Sequence, residues 1–331
     1  MGADVTSKRE RLQAALVGEK ADRVPVALWR HFPVDDQDPI ALAEATLGFQ
    51  AEYDFDFIKV TPSSSFCVRD WGVEDLWKGD PEGTRDYTRY VIDVPADWAR
   101  LRPLPAHRGS LAAQLRCLEY LKKKCGEEIP FIQTIFSPLS QAKHLAGEGR
   151  LLEHLRREPR LVLQGLKVIA ETTATWIQAA RSKGISGVFY AAQQASYRLM
   201  DREAYARFGE PFDRRVLEAA GGLWLNVLHL HGESIMFDLA CSYPIHAVNW
   251  HDRETAPSLR EARRITRVAL CGGLNRGATM ALGDPDSVQR EAQASLRATR
   301  GRGLILGTGC VVPVIAPRGN LLAARRSVDC A

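Results

Sequence analysis

No run of 18 or more apolar residues occurs in the 331-residue chain, so no segment is long enough to cross a bilayer as a helix. Charge of one sign is missing as well. Lys+Arg total 44 against 40 Asp+Glu, and a net +4 is too weak and too evenly spread to mark nucleic acid or an anionic membrane as a partner. The cysteines (Cys67, Cys117, Cys125, Cys241, Cys271, Cys310 and Cys330) are odd in number and contain no CxxC pair. That excludes a secreted disulfide framework and fits free thiols in a reducing cytoplasm. The first residues, MGADVTSKRERLQAAL, hold no apolar stretch of the kind a signal peptide needs, and around Gly2 the case for myristoylation is slight. Nucleotide loops (GxGxxG or GxxxxGK[ST]), a GxSxG elbow and an HExxH helix are all absent.

What is present is an alternation. Short apolar runs at 24–28, 55–60, 130–136, 187–191, 225–230, 247–250, 268–271 and 304–306 are each preceded by a stretch of helical character. Those helical stretches include 39–53, 111–124, 159–183, 201–220, 234–241 and 285–300, and a last helix is expected at 318–328. Eight strand candidates joined through helices imply parallel connections, and eight such units in about 300 residues fit an α/β chain folded as one (β/α)8 TIM barrel. A doubly wound open sheet reads similarly and is the alternative. The segment 67–105, rich in Trp, Tyr, Asp and Gly, interrupts the alternation and is expected to be a small β-hairpin insertion after the second strand. With 45% hydrophobic residues and no linker-like or repeated segment, residues 1–331 are expected to form a single domain.

Barrel enzymes place their chemistry at the C-terminal ends of the strands. Those ends carry Arg30 and His31, Lys59 and Thr61, Gln133, Gln193 and Gln194, His229 and His231, Asn249 and His251, and Cys310. His229-Leu230-His231 is the sharpest pattern, because residues i and i+2 of a strand face the same way and two imidazoles so placed can share a metal ion. The plain alternative is two half-buried histidines bonded to neighbours. Cys310, in Gly307-Thr308-Gly309-Cys310 just past the eighth strand, would open on the same mouth, and a His/His/Cys set with one free position is the catalytic arrangement for zinc. Otherwise Cys310 is a buried thiol. Arg30, His31 and Lys59 could hold an anionic substrate or pair with nearby aspartates. Gln193 and Tyr197 could bond a polar substrate or be ordinary loop residues. Asn249 and His251 could sit in the site, behind it, or on the surface.

DRVPVALWRHFP (22–33), FIQTIFSPLSQAKHLAG (131–147), GVFYAAQQAS (187–196), LHLHGE (228–233), LCGGLNRG (270–277) and LILGTGCVVPVIAPRGNLLAA (304–324) together resemble the uroporphyrinogen decarboxylase superfamily over nearly the whole chain. That superfamily also contains the zinc-dependent cobalamin:thiol methyltransferases, and the resemblance implies a (β/α)8 barrel. True decarboxylases carry an arginine-rich loop after strand one, an acidic residue near strand two and Gly-His-Gly after strand eight. Here only Arg30 stands in the first, Ile58-Lys59-Val60-Thr61 in the second and Gly-Thr-Gly-Cys in the third. The methyltransferase branch carries His-x-Cys and a later Cys; His229 and Cys310 match, and His231 takes the place of the first Cys.

The resemblance therefore implies zinc on His229, His231 and Cys310, a small-molecule thiol substrate, and a methyl group exchanged with corrinoid (cobalamin) on a partner protein. Arg30, His31, Lys59, Gln193, Tyr197, Asn249 and His251 are the further catalytic candidates. The alternative is a metal-independent decarboxylase acting on a smaller acid held by Arg30, His31 or Lys59. A non-catalytic binding protein is the third reading.

Overall fold

The computed structural model describes residues 6–329, so Gly2 and Cys330 lie outside it. Among the described residues nine strands run in chain order: β1 Ile58–Val60, β2 Glu74–Leu76, β3 Asp86–Arg89, β4 Phe131–Phe136, β5 Gly187–Ala192, β6 Val227–Leu230, β7 Ala247–Trp250, β8 Ala269–Leu274 and β9 Leu304–Thr308. Seven of them form one parallel sheet in the order β1-β4-β5-β6-β7-β8-β9. Each strand is bonded to the next in sequence, without the reversal that marks a doubly wound sheet. The sheet is that of a TIM-like barrel. β2 and β3 pair antiparallel between β1 and β4, inside the segment expected to interrupt the alternation.

The first strand candidate, 24–28, is reduced to a single parallel bridge from Val26 to Leu306 of β9. The cause is local. Ala27 donates to the Leu306 carbonyl (2.9 Å) and Leu306 donates to Pro25 (2.8 Å), so the β9 side is paired, whereas Pro25 itself has no N–H to give. Toward β1, the Val26 amide donates to the Asp56 carboxylate (2.7 Å) and the Asp56 amide returns to the Val26 carbonyl (2.8 Å). A side chain thus replaces one rung of a ladder. Asp56 is fully buried, and Arg11 and Arg23 each bond it at 2.7 Å, which compensates its charge.

Two helices also differ from expectation. The stretch 201–220 divides into Arg202–Phe208 and Glu210–Ala219, because Pro211 cannot donate back into the first helix. The stretch 234–241 yields one short turn of helix, Leu239–Ser242. The last helix is Arg318–Arg326. Among the described residues no helix is long and apolar enough to cross a membrane.

Two-residue alternation sorts each strand into an outer and an inner face. Val60, Leu228, Leu230, Val248, Trp250 and Leu270 face outward into the layer of helices. Trp29, Phe57, Ile132, Phe189, Val227, Ala247, Ala269 and Ile305 face inward and make a second, smaller core, with Leu12 at its base. Continuing along the same inner faces toward the C-terminal ends gives Lys59, His229, Asn249 and Cys271, and one step further Thr61, His231 and His251. The inner face turns polar as it rises.

Candidate metal centre

His229 and Asn249 are direct register partners on β6 and β7, so their inward side chains lie side by side. The Asn249 amide nitrogen donates to the carbonyls of Cys271 (2.8 Å) and Thr308 (3.0 Å). That fixes which end of the amide faces His229, whose Nδ1 lies 2.7 Å from Asn249 Oδ1. Nδ1 of His229 must then carry the proton, and its Nε2 lone pair is free to bind a cation.

Four donors converge: His229, His231, His251 and Cys310, with their ligating atoms all within 4.8 Å of one another. His231 Nδ1 is 3.4 Å from both His229 Nε2 and His251 Nε2. Cys310 Sγ is 3.8 Å from His229 Nε2 and from His231 Nδ1. A tetrahedral ion with bonds of about 2.0–2.1 Å to nitrogen and about 2.3 Å to sulfur would hold nitrogen pairs about 3.3 Å apart and nitrogen–sulfur pairs about 3.6 Å apart. The four short donor pairs come close to these spacings, and the ligand types suit zinc.

Cys310 reaches this point because of Gly309. A Cβ at 309 would lie 2.5 Å from both the His251 Cα and the Trp250 carbonyl oxygen. The missing side chain lets the loop after β9 press against the end of β7. Gly309 therefore serves a backbone-to-backbone contact.

Burial opposes a thiolate at Cys310, but the charge of His229 and hydrogen bonds from His229, His231 and His251 outweigh it and bring the thiol well below its ordinary range. Burial pushes His251 down, yet the bond to Cys310 and its charge raise it overall. Burial lowers His229. Behind the donors, His251 Nδ1 lies 3.4 Å from Glu254 Oε2; Glu254 faces Arg276 at 3.5 Å, and Arg276 pairs with Glu82 at 2.6 Å.

The cluster opens on a cavity of about 530 Å³, within the range of small-molecule sites. His31, Lys59, Gln193, His229, His231 and Cys310 line it. Burial, then the charge of Lys59, pushes His31 down to about 4. Burial brings Lys59 down to about 7. Two sequence candidates lie elsewhere. The Arg30 guanidinium rests over the rings of Phe32 and Phe49 (5.3 and 5.1 Å), outside the cavity lining. Tyr197 is 52% exposed and also outside it. Strand alternation separates Arg30 from its neighbours, because Trp29 and His31 point inward and the residue between them cannot.

Three cavity residues were not singled out in the sequence: Lys143 and His144, on the helix Pro138–Ala146 after β4, and Tyr87 on β3. His144 stacks on Tyr87 at 5.1 Å and meets Phe136 edge-on at 5.1 Å.

Residues 7–329 match the family described as Uroporphyrinogen decarboxylase (URO-D). The chain is 23% identical over 347 residues to methylcobamide:CoM methyltransferase MtbA of Methanosarcina acetivorans, covering 98% of this chain and 97% of that protein. It is 26% identical over 347 residues to methylcobamide:CoM methyltransferase MtaA of Methanosarcina barkeri, covering 96% and 97%. Among solved structures it superposes on a methyltransferase from Methanosarcina mazei with a TM-score of 0.82 at 19% identity, covering 98% of each chain.

Proposed function

The chain belongs to the uroporphyrinogen decarboxylase (URO-D) family, and within it we propose a zinc-dependent methyltransferase that moves a methyl group between a corrinoid carrier and a thiol. The observation that carries this reading is the convergence of His229, His231, His251 and Cys310, three of which (His229, His231 and Cys310) line the cavity. We further read the sheet and the Val26 segment as one closed eight-strand barrel forming a single domain, with the β2–β3 pair as an insertion at its mouth. A corrinoid protein would dock on that open end.

When bound, zinc would supply the positive charge that turns a substrate thiol into a thiolate nucleophile at neutral pH. The chain's own residues do the rest. Asn249 sets the His229 tautomer, and the buried floor of Phe189 and Trp29 keeps water from the inner side of the donors. Four protein donors make a closed set, whereas catalysis needs one position to open. His251 is the donor suited to yield: it follows the end of β7 and its Nδ1 has one long contact, at 3.4 Å to Glu254. His229 is held at 2.7 Å from within a strand.

The decarboxylase alternative loses support from the position of Arg30, which packs on Phe32 and Phe49 instead of facing the cavity. The deciding experiment is metal analysis of the purified protein alongside methyl transfer from methylcobalamin to a thiol. About one zinc per chain is expected, lost together with activity in Cys310→Ser and His229→Ala. Full activity in zinc-free protein would refute the reading.

A further inference from the structure

The N-terminal ends of β8 and β9, opposite the cavity, carry a concentration of positive charge that the net +4 of the chain conceals. Two turns build it. Arg264 lies in the last turn of the helix Leu259–Ile265 and Arg267 just past it, on the way into β8. Arg297 lies in the last turn of the helix Pro285–Thr299, and Arg300 and Arg302 follow it on the way into β9. All five are exposed. β8 and β9 pair in parallel with Leu270 opposite Leu304, so the two turns are neighbours. Arg263 joins them: its guanidinium donates to the carbonyls of Val268 (3.3 Å) and Gly303 (2.6 Å), one in each turn. A Cβ at 303 would lie 2.9 Å from Arg263 Nη2, so the glycine lets the guanidinium rest against the backbone.

Among the described residues none of these six arginines has a carboxylate within 4.0 Å. The local sequence supplies none, since 262–275 and 292–303 contain neither Asp nor Glu. The acids of adjoining segments are committed elsewhere. Asp22, Asp56 and Asp329 are held by Arg11, Arg23 and Arg325, and Glu261 accepts from the Ser258 amide and hydroxyl at the start of its own helix. Cations at a helix C-terminus offset the macrodipole, which accounts for Arg263, Arg264 and Arg297 but not for Arg267 and Arg302, which stand in the turns. Arg263 Nε is buried without a partner, and burial weakens the hold of that guanidinium on its proton. The crowding of like charge is a cost that an anionic partner would relieve.

The form of the strip selects the kind of anion. All six cations are guanidiniums, whose planar forks match carboxylates two bonds at a time. Neither 262–268 nor 297–303 holds an aromatic ring on which a base could stack, and a strip two turns wide is short against the run of phosphates along a duplex. Ile265, 51% exposed between Arg264 and Arg267, is too little apolar surface to enter a membrane, but it suits the mixed arginine and aliphatic character of a protein contact. We propose that the arginines of these two turns form a docking surface for an acidic segment of a second protein. A partner held there leaves the opposite end free for substrate and for a corrinoid protein at the same time. The surface does not depend on the metal reading above.

Fluorescence anisotropy tests this with the full chain at about 0.15 M salt, where only close charge pairs persist. The probes are a labelled acidic peptide of four Glu-Asp-Leu repeats and a neutral one of four Glu-Lys-Leu repeats. The acidic peptide should bind at least about tenfold tighter than the neutral one. Arg264→Glu together with Arg302→Glu should abolish that preference. The same change of charge at Arg116 and Arg160, exposed on the helices Gly109–Cys125 and Pro159–Arg181, should leave it intact. Arg264→Gln with Arg302→Gln serves if the charge-reversed variant folds poorly. Equal binding of the two peptides, or an equal loss in both double variants, overturns the docking surface. Tighter binding of a short RNA duplex or of phosphatidylserine vesicles than of the acidic peptide overturns the choice of a protein partner.

Discussion

The inner face of the sheet has two storeys built by the same strands. In the lower one, Phe57, Val227, Ala247 and Ala269 belong to the inner apolar core. Two residues on, those strands present Lys59, His229, Asn249 and Cys271, and two further Thr61, His231 and His251. The strands do not change direction or pairing between the storeys. What changes is access, because Lys59, Thr61, His229 and His231 of the upper storey line the cavity, whereas the lower storey packs on Leu12 of the helix Lys8–Leu16. Stability and chemistry are thus separable along one strand, and the separation can be tested.

The largest effect is expected from the lower storey. Phe57→Ala removes a ring that is 1% exposed and should cost about 3–5 kcal/mol in urea unfolding, with zinc per folded chain unchanged. Loss of zinc in the properly folded fraction would break the separation.

The boundary between storeys is Asn249. Asn249→Ala frees the His229 tautomer and strips two buried carbonyls of their donor, so zinc affinity measured against a competing chelator should fall about 10- to 100-fold. An unchanged affinity would mean that His229 needs no partner.

The smallest effect is a pH dependence at the cavity wall. Burial holds His144 well below the ordinary histidine value near 6.5, so the native chain binds fewer protons there than the unfolded one. Its contribution is present above about pH 6.5 and is lost progressively as pH falls below it. His31, pushed down to about 4, acts in the same direction. Urea midpoints should therefore drop between pH 7.5 and pH 5, and less steeply in His144→Leu. Parallel slopes would remove His144 from the account.

The upper storey was legible where donors sit on strands. His229 and His231 flank one residue at a strand end, and Cys310 follows the last strand, so alternation and strand order suffice to join them. His251 was ambiguous from composition but not from register, since it continues the inward series of Ala247 and Asn249. Arg30 was misplaced because a basic residue near a strand end attracts attention even when its neighbours Trp29 and His31 own the inner face. Lys143 and His144 were not singled out, because helix faces follow no two-residue rule and neither residue sits at a strand end. The Val26 bridge likewise depended on a side chain, Asp56, standing in for a backbone rung.

Gly309 touches none of the four donor atoms, yet it sets the clearance between two backbones that carry two of them. It acts as a spacer of zero thickness. Any search for essential residues that removes side chains one at a time would pass over it, because it has none to remove. The information at this position is carried by what must not be added, and a single methyl group would rewrite it.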